Sequence, residues 1–331
     1  MSTPPIVTIF GGSGFVGRYV ASRMAQAGWR VRVAVRRPNE ALFVRPYGVV
    51  GQVEPILANV RDEESVKKAI AGADAVINCV GVRQERGKQT FDAINTEAAG
   101  RVARIAADAG IKRLVHVSAL GADEGSESAY LSSKAKGESQ VKAAFPDAVI
   151  LRPSLVFGTE DKFFNSFAAV ARMTHIVPIA GADTKFQPVY VDDVAKAAEL
   201  ALTQDIAGGV YELGGPDVES FRQLMKRMLH VIERPGLVIG LWRWYAYIWA
   251  WAFDMFSKAT RGLYPAIVSR DQLRALKTDN VVAPDAAGFA ALGITPTAME
   301  AVLEDYLYAF RPSGQYTEIV DSGKNLPISE L

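Results

Sequence analysis

Two periods of apolar residues share the first 150 positions of the chain. Short apolar runs occur at Ile6–Phe10, Arg30–Val35, Val53–Leu57, Ala75–Val80, Leu114–Val117 and Ala148–Leu151; in the second, Val31, Val33 and Val35 alternate with other residues. Between them, apolar positions recur every three to four residues. The runs predict buried strands and the intervening stretches amphipathic helices. The first helix follows a glycine turn and ends near Ala27, with Gly28 as its cap. Others are expected at Glu63–Ala71 behind an Asp62 cap, at Asn95–Ala109 ended by Gly110, and at Tyr130–Ala144. Strict strand–helix alternation predicts a parallel sheet with helices on both faces, an α/β, Rossmann-type doubly wound fold.

After Gly158 the pattern loosens. A short strand is expected at Val189–Val191, a helix at Asp192–Leu202, a strand at Val210–Leu213, and a helix from the Ser220 cap to about Val231. Later come helices at Arg270–Leu276 and Ala298–Phe310, with a turn and short helix at Pro284–Gly293. The organisation expected is a nucleotide-binding domain over 1–157, to which 187–215 returns, a smaller lobe over 158–310, and a tail over 311–331. That tail is rich in Pro, Gly, Ser and Lys and is expected to be mobile or ordered on a partner. No internal repeat is visible.

The stretch Leu237–Phe256 stands apart. It holds four of the five tryptophans (Trp242, Trp244, Trp249 and Trp251), joined by Tyr245, Tyr247, Phe253 and Phe256. Its length approaches a bilayer span, but Arg243 and Asp254 lie inside it, and such aromatics favour the headgroup region. Three readings stay open: a core helix, an interfacial membrane helix and a docking surface for a partner.

Composition narrows the class. The 331 residues are 49% hydrophobic and 22% charged, as in a packed globular protein. A net charge of +1 gives no bulk attraction to nucleic acid. The single cysteine, Cys79, sits in an apolar run and reads as a buried thiol, so no disulfide forms within the chain. His116, His175 and His230 are too scattered for a metal site, and none is expected. The N-terminus runs straight into the first strand, leaving no room for a signal peptide, so a protein in or facing the cytoplasm is expected.

The candidate chemistry starts at Gly-Gly-Ser-Gly-Phe-Val-Gly, residues 11–17. Gly11, Gly14 and Gly17 form G-x-x-G-x-x-G between a strand and a helix. The first allows a tight turn, the second a close approach of backbone to ligand, and the third tight helix–strand packing. A pyrophosphate would sit at the helix start, on backbone N–H groups around Ser13, Phe15 and Val16. Arg36 and Arg37 follow the second strand, where an acidic residue would select NAD. Guanidinium groups suit a 2′-phosphate, so NADPH is the expected cofactor, with Arg37 also readable as a solvated loop residue. Asn59, after the third strand, can meet an adenine edge or serve a turn. Gly81, near Asn78, can admit the dinucleotide or simply turn the chain. Tyr130 and Lys134, four apart, share a helix face, and a lysine charge beside a phenol favours proton exchange with a carbonyl or alcohol.

With the glycine turn and the Tyr130–Lys134 pair, the segments Arg152-Pro153-Ser154, Phe157-Gly158 and Pro188–Val194 resemble the short-chain dehydrogenase/reductase superfamily in its extended or atypical branch. More narrowly, His116–Leu120, Tyr130-Leu131 with Lys134-Ala135, Gly158–Asp161 with Asn165–Phe167, and Gln187–Val191 together resemble the nucleotide-binding accessory subunits of respiratory complex I. That resemblance covers roughly the first 220 residues. It implies bound NADPH, with Val60, Val80 and Gly81, Val117 and Ser118, and Pro153, Ser154 and Leu155 also at the cofactor. It implies other complex I subunits as partners, a peripheral place on the cytoplasmic face of a bacterial inner membrane, and possible surface contact through 237–256. It also implies little or no turnover. Active members carry a serine or threonine at the end of the fifth strand; Ser118 is present here, but the position aligned with the catalytic hydroxyl falls nearer Leu120, and Tyr130 with Lys134 then read first as cofactor-binding. The rival expectation is an NADP(H)-dependent reductase or epimerase acting on a quinone-like or sugar-derived substrate. A third is a regulator that senses the redox state of the nucleotide.

Overall fold

The run Ile6–Phe10 is a strand because its side chains are buried on both faces, which only a central position in a covered parallel sheet allows. The computed structural model describes residues 3–259 and 269–316. In chain order its strands are β1 (Ile6–Phe10), β2 (Arg30–Val35), β3 (Val53–Leu57), β4 (Ala75–Asn78), β5 (Arg113–Val117), β6 (Val149–Pro153), β7 (Val156–Phe157), β8 (Ile176–Ala180), β9 (Lys185–Phe186), β10 (Val189–Tyr190), β11 (Gly209–Leu213), β12 (Glu219–Ser220) and β13 (Leu237–Leu241). The α-helices are α1 (Phe15–Gln26), α2 (Glu63–Ile70), α3 (Glu97–Asp108), α4 (Ala129–Ala144), α5 (Phe164–Thr174), α6 (Val191–Thr203), α7 (Phe221–Val231), α8 (Arg243–Ala259), α9 (Arg270–Ala275) and α10 (Glu300–Leu307).

Seven parallel strands form one sheet in the order β11-β6-β5-β4-β1-β2-β3. Val7 pairs with Val31 on one side and Ala75 on the other. The chain therefore runs outward through β2 and β3, then crosses back to β4. The crevice outside the strand ends at β1 and β4 is the switch point where this topology places a ligand. One face is covered by α1 and α6, whose Val20, Met24, Val194 and Ala198 join a core with Ile9 and Ile77. The other is covered by α2, α3 and α4, with Val66, Val102 and Val141 packed over Phe10, Val76 and Ile150.

The second lobe has its own core, Phe157, Phe164, Leu224, Met228, Leu303 and Leu307. Here α7 starts at the expected Ser220, through a capping box with Gln223. Helix α5 and strands β8 and β9 have no counterpart among the expected elements, because Phe163-Phe164-Asn165-Ser166-Phe167 follows neither period and β9 has two residues. Tyr306 Oη on α10 donates to Asp161 Oδ2 at 2.6 Å, closing the lobe onto the loop after β7.

The aromatic stretch is not one element. Leu237–Leu241 is a strand paired with β8, and the helix begins only at Arg243. Val238 is buried between exposed Leu237 and Ile239, the alternation of a half-buried strand. The expectation of a single segment thus gives way to β13 followed by α8. Among the described residues no helix is long and apolar enough to cross a membrane. Of the expected tail, 311–316 carries a 3₁₀ turn, Gly314–Tyr316, and Arg311 Nε donates to Val231 O at 2.9 Å. The remainder of that expectation, 317–331, lies outside the described residues, as does 260–268.

Candidate dinucleotide site

The glycine turn leaves β1 with Gly11 at φ +75° and its N–H on Ala34 O at 3.0 Å. Gly14, extended, is the N-cap of α1, and neither a side-chain cap nor an acidic residue occupies the first helical turn. The N–H groups there are therefore suited to an anion. A Cβ on Gly17 would stand 2.8 Å from Gly12 Cα and 2.9 Å from the Gly11 carbonyl carbon, closer still to the Gly11 oxygen. Only glycine lets α1 lie this close to the turn.

The sequence-predicted residues fall along the C-terminal ends of the strands. At the end of β2, Arg37 Nη1 pairs with Glu40 Oε1 at 2.9 Å, whereas Arg36 is exposed and has no ion pair among the described residues. After β3, Asn59 Oδ1 accepts from Arg61 N at 3.2 Å, so that oxygen is committed to a turn. The Val60 carbonyl beside it accepts from Arg101 Nη1 at 2.9 Å. At the end of β4, Val80 N donates to Asn78 Oδ1 at 3.1 Å, and Val80 lies against the Gly11 turn.

Lys134 is buried on α4, and its Nζ donates to Val117 O at 3.0 Å. A Cβ on Gly81 would lie 3.0 Å from that Nζ, so glycine there makes room for the lysine. Burial pushes the Lys134 ammonium down from 10.5 to about 8, against the opposing charge of Glu138. Tyr130 is half-buried, its ring 6.1 Å from that of Phe91. Burial raises its phenol pKa, Arg83 acts to lower it, and Asp271 adds to the rise. Ser118 Oγ is buried without a hydrogen-bond partner. A buried hydroxyl left unpaired beside this pair is a donor and acceptor available to a ligand.

Beneath these groups, burial holds the His116 imidazole at about 3, hence neutral, with Asn78 Nδ2 3.2 Å from its Nδ1. Burial also raises the Cys79 thiol to about 12, which makes it inert as a nucleophile. Among the described residues no group of three or more His, Cys, Asp or Glu could hold a metal ion.

Three residues of the site escape sequence reasoning. Asn95 is buried in a π-helical turn, Asp92–Thr96, that leads into α3. Its Oδ1 accepts from Val82 N at 2.9 Å, and its Nδ2 donates to Val82 O and Ser133 Oγ, both at 3.0 Å. It thereby ties the loop after β4 to the helix of Tyr130 and Lys134. An asparagine inside an apolar helical pattern was the available signal. The other two are Asp271 and Asn280, from the second lobe. Asn280 Oδ1 accepts from Ser154 Oγ at 2.6 Å, and its Nδ2 donates to Leu120 O at 3.3 Å. The Ser154 hydroxyl is thus committed to the second lobe. Around it, the Pro153 carbonyl accepts from Leu120 N and the Leu155 carbonyl from Val189 N, both at 2.9 Å. Leu120 is itself buried, and neither it nor Ala119 offers a hydroxyl to a developing oxyanion.

Away from the crevice, Trp242, Trp244, Trp249 and Trp251 are 50% to 75% exposed. Among the described side chains of α8 only Ala246 and Ala250 are buried, against Leu273 of α9. Trp244, Tyr245, Ile248, Trp249, Trp251 and Met255 of the same helix are exposed, an uncovered apolar surface.

Comparison with known proteins places this geometry. The NAD dependent epimerase/dehydratase family matches residues 7–214, the whole central sheet. NADH dehydrogenase [ubiquinone] 1 alpha subcomplex subunit 9, mitochondrial, of Arabidopsis thaliana is 36% identical over 316 residues, covering 93% of this chain and 79% of the relative. A ceramide reductase of Caulobacter vibrioides is 30% identical over 236 residues, covering 70% of this chain and 73% of the relative. The NADPH-dependent quinone oxidoreductase QOR2 of Escherichia coli, solved with NADPH, superposes with a TM-score of 0.68 at 18% identity, over 91% of this chain and 98% of that one. That superposition speaks to the fold alone. On the family match and on likeness across nearly its whole length, the chain belongs to the NAD dependent epimerase/dehydratase family and, within it, to the group of the alpha subcomplex subunit 9 proteins of complex I.

Proposed function

We propose that this chain holds NADPH as a structural cofactor and serves as an accessory subunit of respiratory complex I. The observations that support the reading are the glycine turn, free of a side-chain cap, at the start of α1 and buried Leu120 at the position where the family resemblance expects a catalytic hydroxyl. Gly11, Gly14 and Gly17 would hold the pyrophosphate and Arg36 the 2′-phosphate. Tyr130, Lys134 and Ser118 would meet the nicotinamide ribose. NADPH, when bound, supplies a transferable hydride, but no hydroxyl at position 119 or 120 stands ready to stabilise charge on an acceptor. A ligand that binds only the folded state adds roughly 4 kcal/mol of stability at a thousandfold excess over Kd. In this role the nucleotide secures the shape of a docking subunit.

The exposed aromatic helix supports a place at the cytoplasmic surface of a bacterial inner membrane, beside other complex I subunits. Basic residues Arg243, Lys258, Arg261, Arg270, Arg274 and Lys277 outnumber Asp254 and Asp271 across 242–277. Tryptophans with basic neighbours suit an anionic headgroup layer. Native purification from membranes, with identification of bound nucleotide and co-purifying chains, tests the whole reading. NADPH and complex I subunits are expected; a nucleotide-free chain running alone defeats it.

A second reading is favoured by the Tyr130–Lys134 pair and by likeness to a ceramide reductase. There the chain is an NADP(H)-dependent reductase with Tyr130 as proton donor. Substrate-dependent NADPH oxidation that disappears in Tyr130→Phe would establish it.

Two expected results follow from the site. Arg36→Ala lowers NADPH affinity about 10- to 100-fold while leaving NADH affinity unchanged, the loss of one or two charged hydrogen bonds. Arg37→Ala, whose guanidinium already pairs with Glu40, costs less than about threefold. Calorimetric titration with both nucleotides distinguishes them. Lys134 is protonated in the free protein only below about 8, so NADPH affinity falls as pH rises through that value. Lys134→Met binds more weakly at pH 7 and loses this pH dependence; an unchanged profile would exclude the lysine from the cofactor.

A further inference from the structure

Helix α4 presents Tyr130 and Lys134 to the crevice, yet what holds its first turn comes from another lobe. The sequence of that turn is Ala129-Tyr130-Leu131, with no acidic residue, and its own cap is Ser128, whose Oγ accepts from Leu131 N at 3.4 Å. The stronger contacts belong to Asp271, some 140 residues away. Asp271 Oδ1 accepts from Ala129 N at 2.6 Å, and Oδ2 accepts from Ser128 Oγ at 2.9 Å and Tyr130 N at 3.2 Å. One carboxylate thus satisfies two of the N–H groups that a helix start leaves unpaired, and its charge complements the helix dipole.

Asp271 is itself fixed. It lies in the first turn of α9, behind a capping box of Ser269 and Gln272. The same segment is fastened further along by Lys277 to Glu127 at 2.6 Å and by Asn280 to Leu120 O. Lys134 has a separate anchor, Val117 O, and sits one turn deeper in the helix. Loss of the carboxylate therefore reaches Tyr130 first.

We propose that Asp271 is a positioning residue for the nicotinamide half of the dinucleotide site, acting through the first turn of α4 on Tyr130. The proposal rests on the reading that the crevice holds NADPH. A residue that only stabilises the fold would affect all nucleotides alike. A residue that positions Tyr130 affects ligands carrying the nicotinamide ribose and spares those that lack it.

The test uses the full chain and two probes, NADPH and adenosine 2′,5′-bisphosphate, which has neither the nicotinamide nor its ribose, titrated into Asp271→Asn. Asparagine keeps the shape but turns a donor toward Ser128 Oγ and Tyr130 N. NADPH affinity is expected to fall about tenfold, and that for adenosine 2′,5′-bisphosphate to stay within about twofold. In a cycle with Tyr130→Phe, Asp271→Asn should cost no further NADPH affinity. Asp271→Ser, which retains an acceptor, replaces the asparagine variant should that one not fold, with the same expectation. Lys277→Ala, at the exposed end of the strap, should bind both probes normally. Equal losses for both probes, no loss for NADPH, or additive losses with Tyr130→Phe overturn the proposal. Failure of the unmodified chain to bind NADPH overturns the underlying reading and the proposal together.

Discussion

Gly17→Ala abolishes dinucleotide binding and lowers stability by about 3 kcal/mol or more, at the upper end of the usual overpacking penalty. The added methyl meets backbone, not the movable end of a side chain: Gly12 Cα at 2.8 Å and the Gly11 carbonyl. Neither can yield. Gly11 is pinned by its N–H to Ala34 O and by its left-handed conformation, which other residues adopt at a cost. Relief must come from α1 moving off β1. That helix is held on its far side by Arg23, which bonds Asp192 at 2.6 Å and Glu199 at 3.1 Å on α6. The anion cradle at the start of α1 is then distorted from both ends. Gly28→Ala is the control. Its φ is +83° but nothing lies within 4 Å of an added Cβ, so it should cost about 1 kcal/mol and leave binding intact. Urea denaturation and NADPH titration of both variants measure the difference. Equal behaviour of the two would mean that contact with the turn is not what holds α1 in place.

The second large effect lies behind the site. Glu138, with a side chain 3% exposed, accepts from Arg152 Nε at 3.0 Å and Nη2 at 2.8 Å, and Arg152 Nη1 reaches Glu212 at 3.4 Å. Hydrogen bonding to Glu138 raises the already high pKa of Arg152, so the guanidinium stays charged. Arg152→Met strands two carboxylates and is expected to cost about 3–5 kcal/mol at pH 7, the penalty for breaking a buried pair from one side. The deficit shrinks toward acidic pH, because a stranded buried carboxylate takes up a proton more readily than one in the unfolded chain. Arg152→Met combined with Glu138→Leu should recover most of the loss, since an apolar pair of similar volume often replaces a buried ion pair without penalty. Denaturation at pH 5 and pH 7 reads all three. A single substitution costing less than about 1 kcal/mol would show that water reaches the pair.

How far the chain can be read without coordinates differs from element to element. The spans Arg30–Val35 and Val53–Leu57 are strands over the same residues that their apolar runs mark, because a short apolar run between turns reports a strand without help from distant contacts, even where a member such as Leu57 ends up exposed. The helix of Tyr130 and Lys134 begins one residue earlier than its pattern suggests, at Ala129, where Ser128 caps it. The region 156–188 is less legible: β7 and β9 have two residues each, too short for any period, and the start of α5 carries aromatics that pack in a cluster, Phe163 against Phe164, Phe167 and Phe221. The aromatic stretch misleads for a related reason. Its density suggests one amphiphilic segment, but Leu237–Leu241 follows its partner strand β8, a contact no local window contains.

Within the site the division is similar. Turn chemistry and helical spacing single out the glycines at 11, 14 and 17, and place Tyr130 and Lys134 on one face, because those features are properties of a few adjacent residues. Arg36 and Arg37 are alike in the sequence; only the ion pair with Glu40 tells them apart. The role of Asn95 depends on a π-turn that brings it to Ser133, and those of Asp271 and Asn280 on a second lobe laid against the first. Sequence alone determines the doubly wound sheet and the glycine turn at its first strand, since strand–helix alternation and turn chemistry are written in residues that are neighbours along the chain. The three-dimensional structure decides which arginine has no ion pair among the described residues, which carboxylate secures the helix of Tyr130, and which of the described side chains of α8 lie open. The carboxylate and the open side chains depend on contacts between residues distant in the chain, whereas Arg37 and Glu40, three residues apart, meet through the 3₁₀ turn at Pro38–Tyr47.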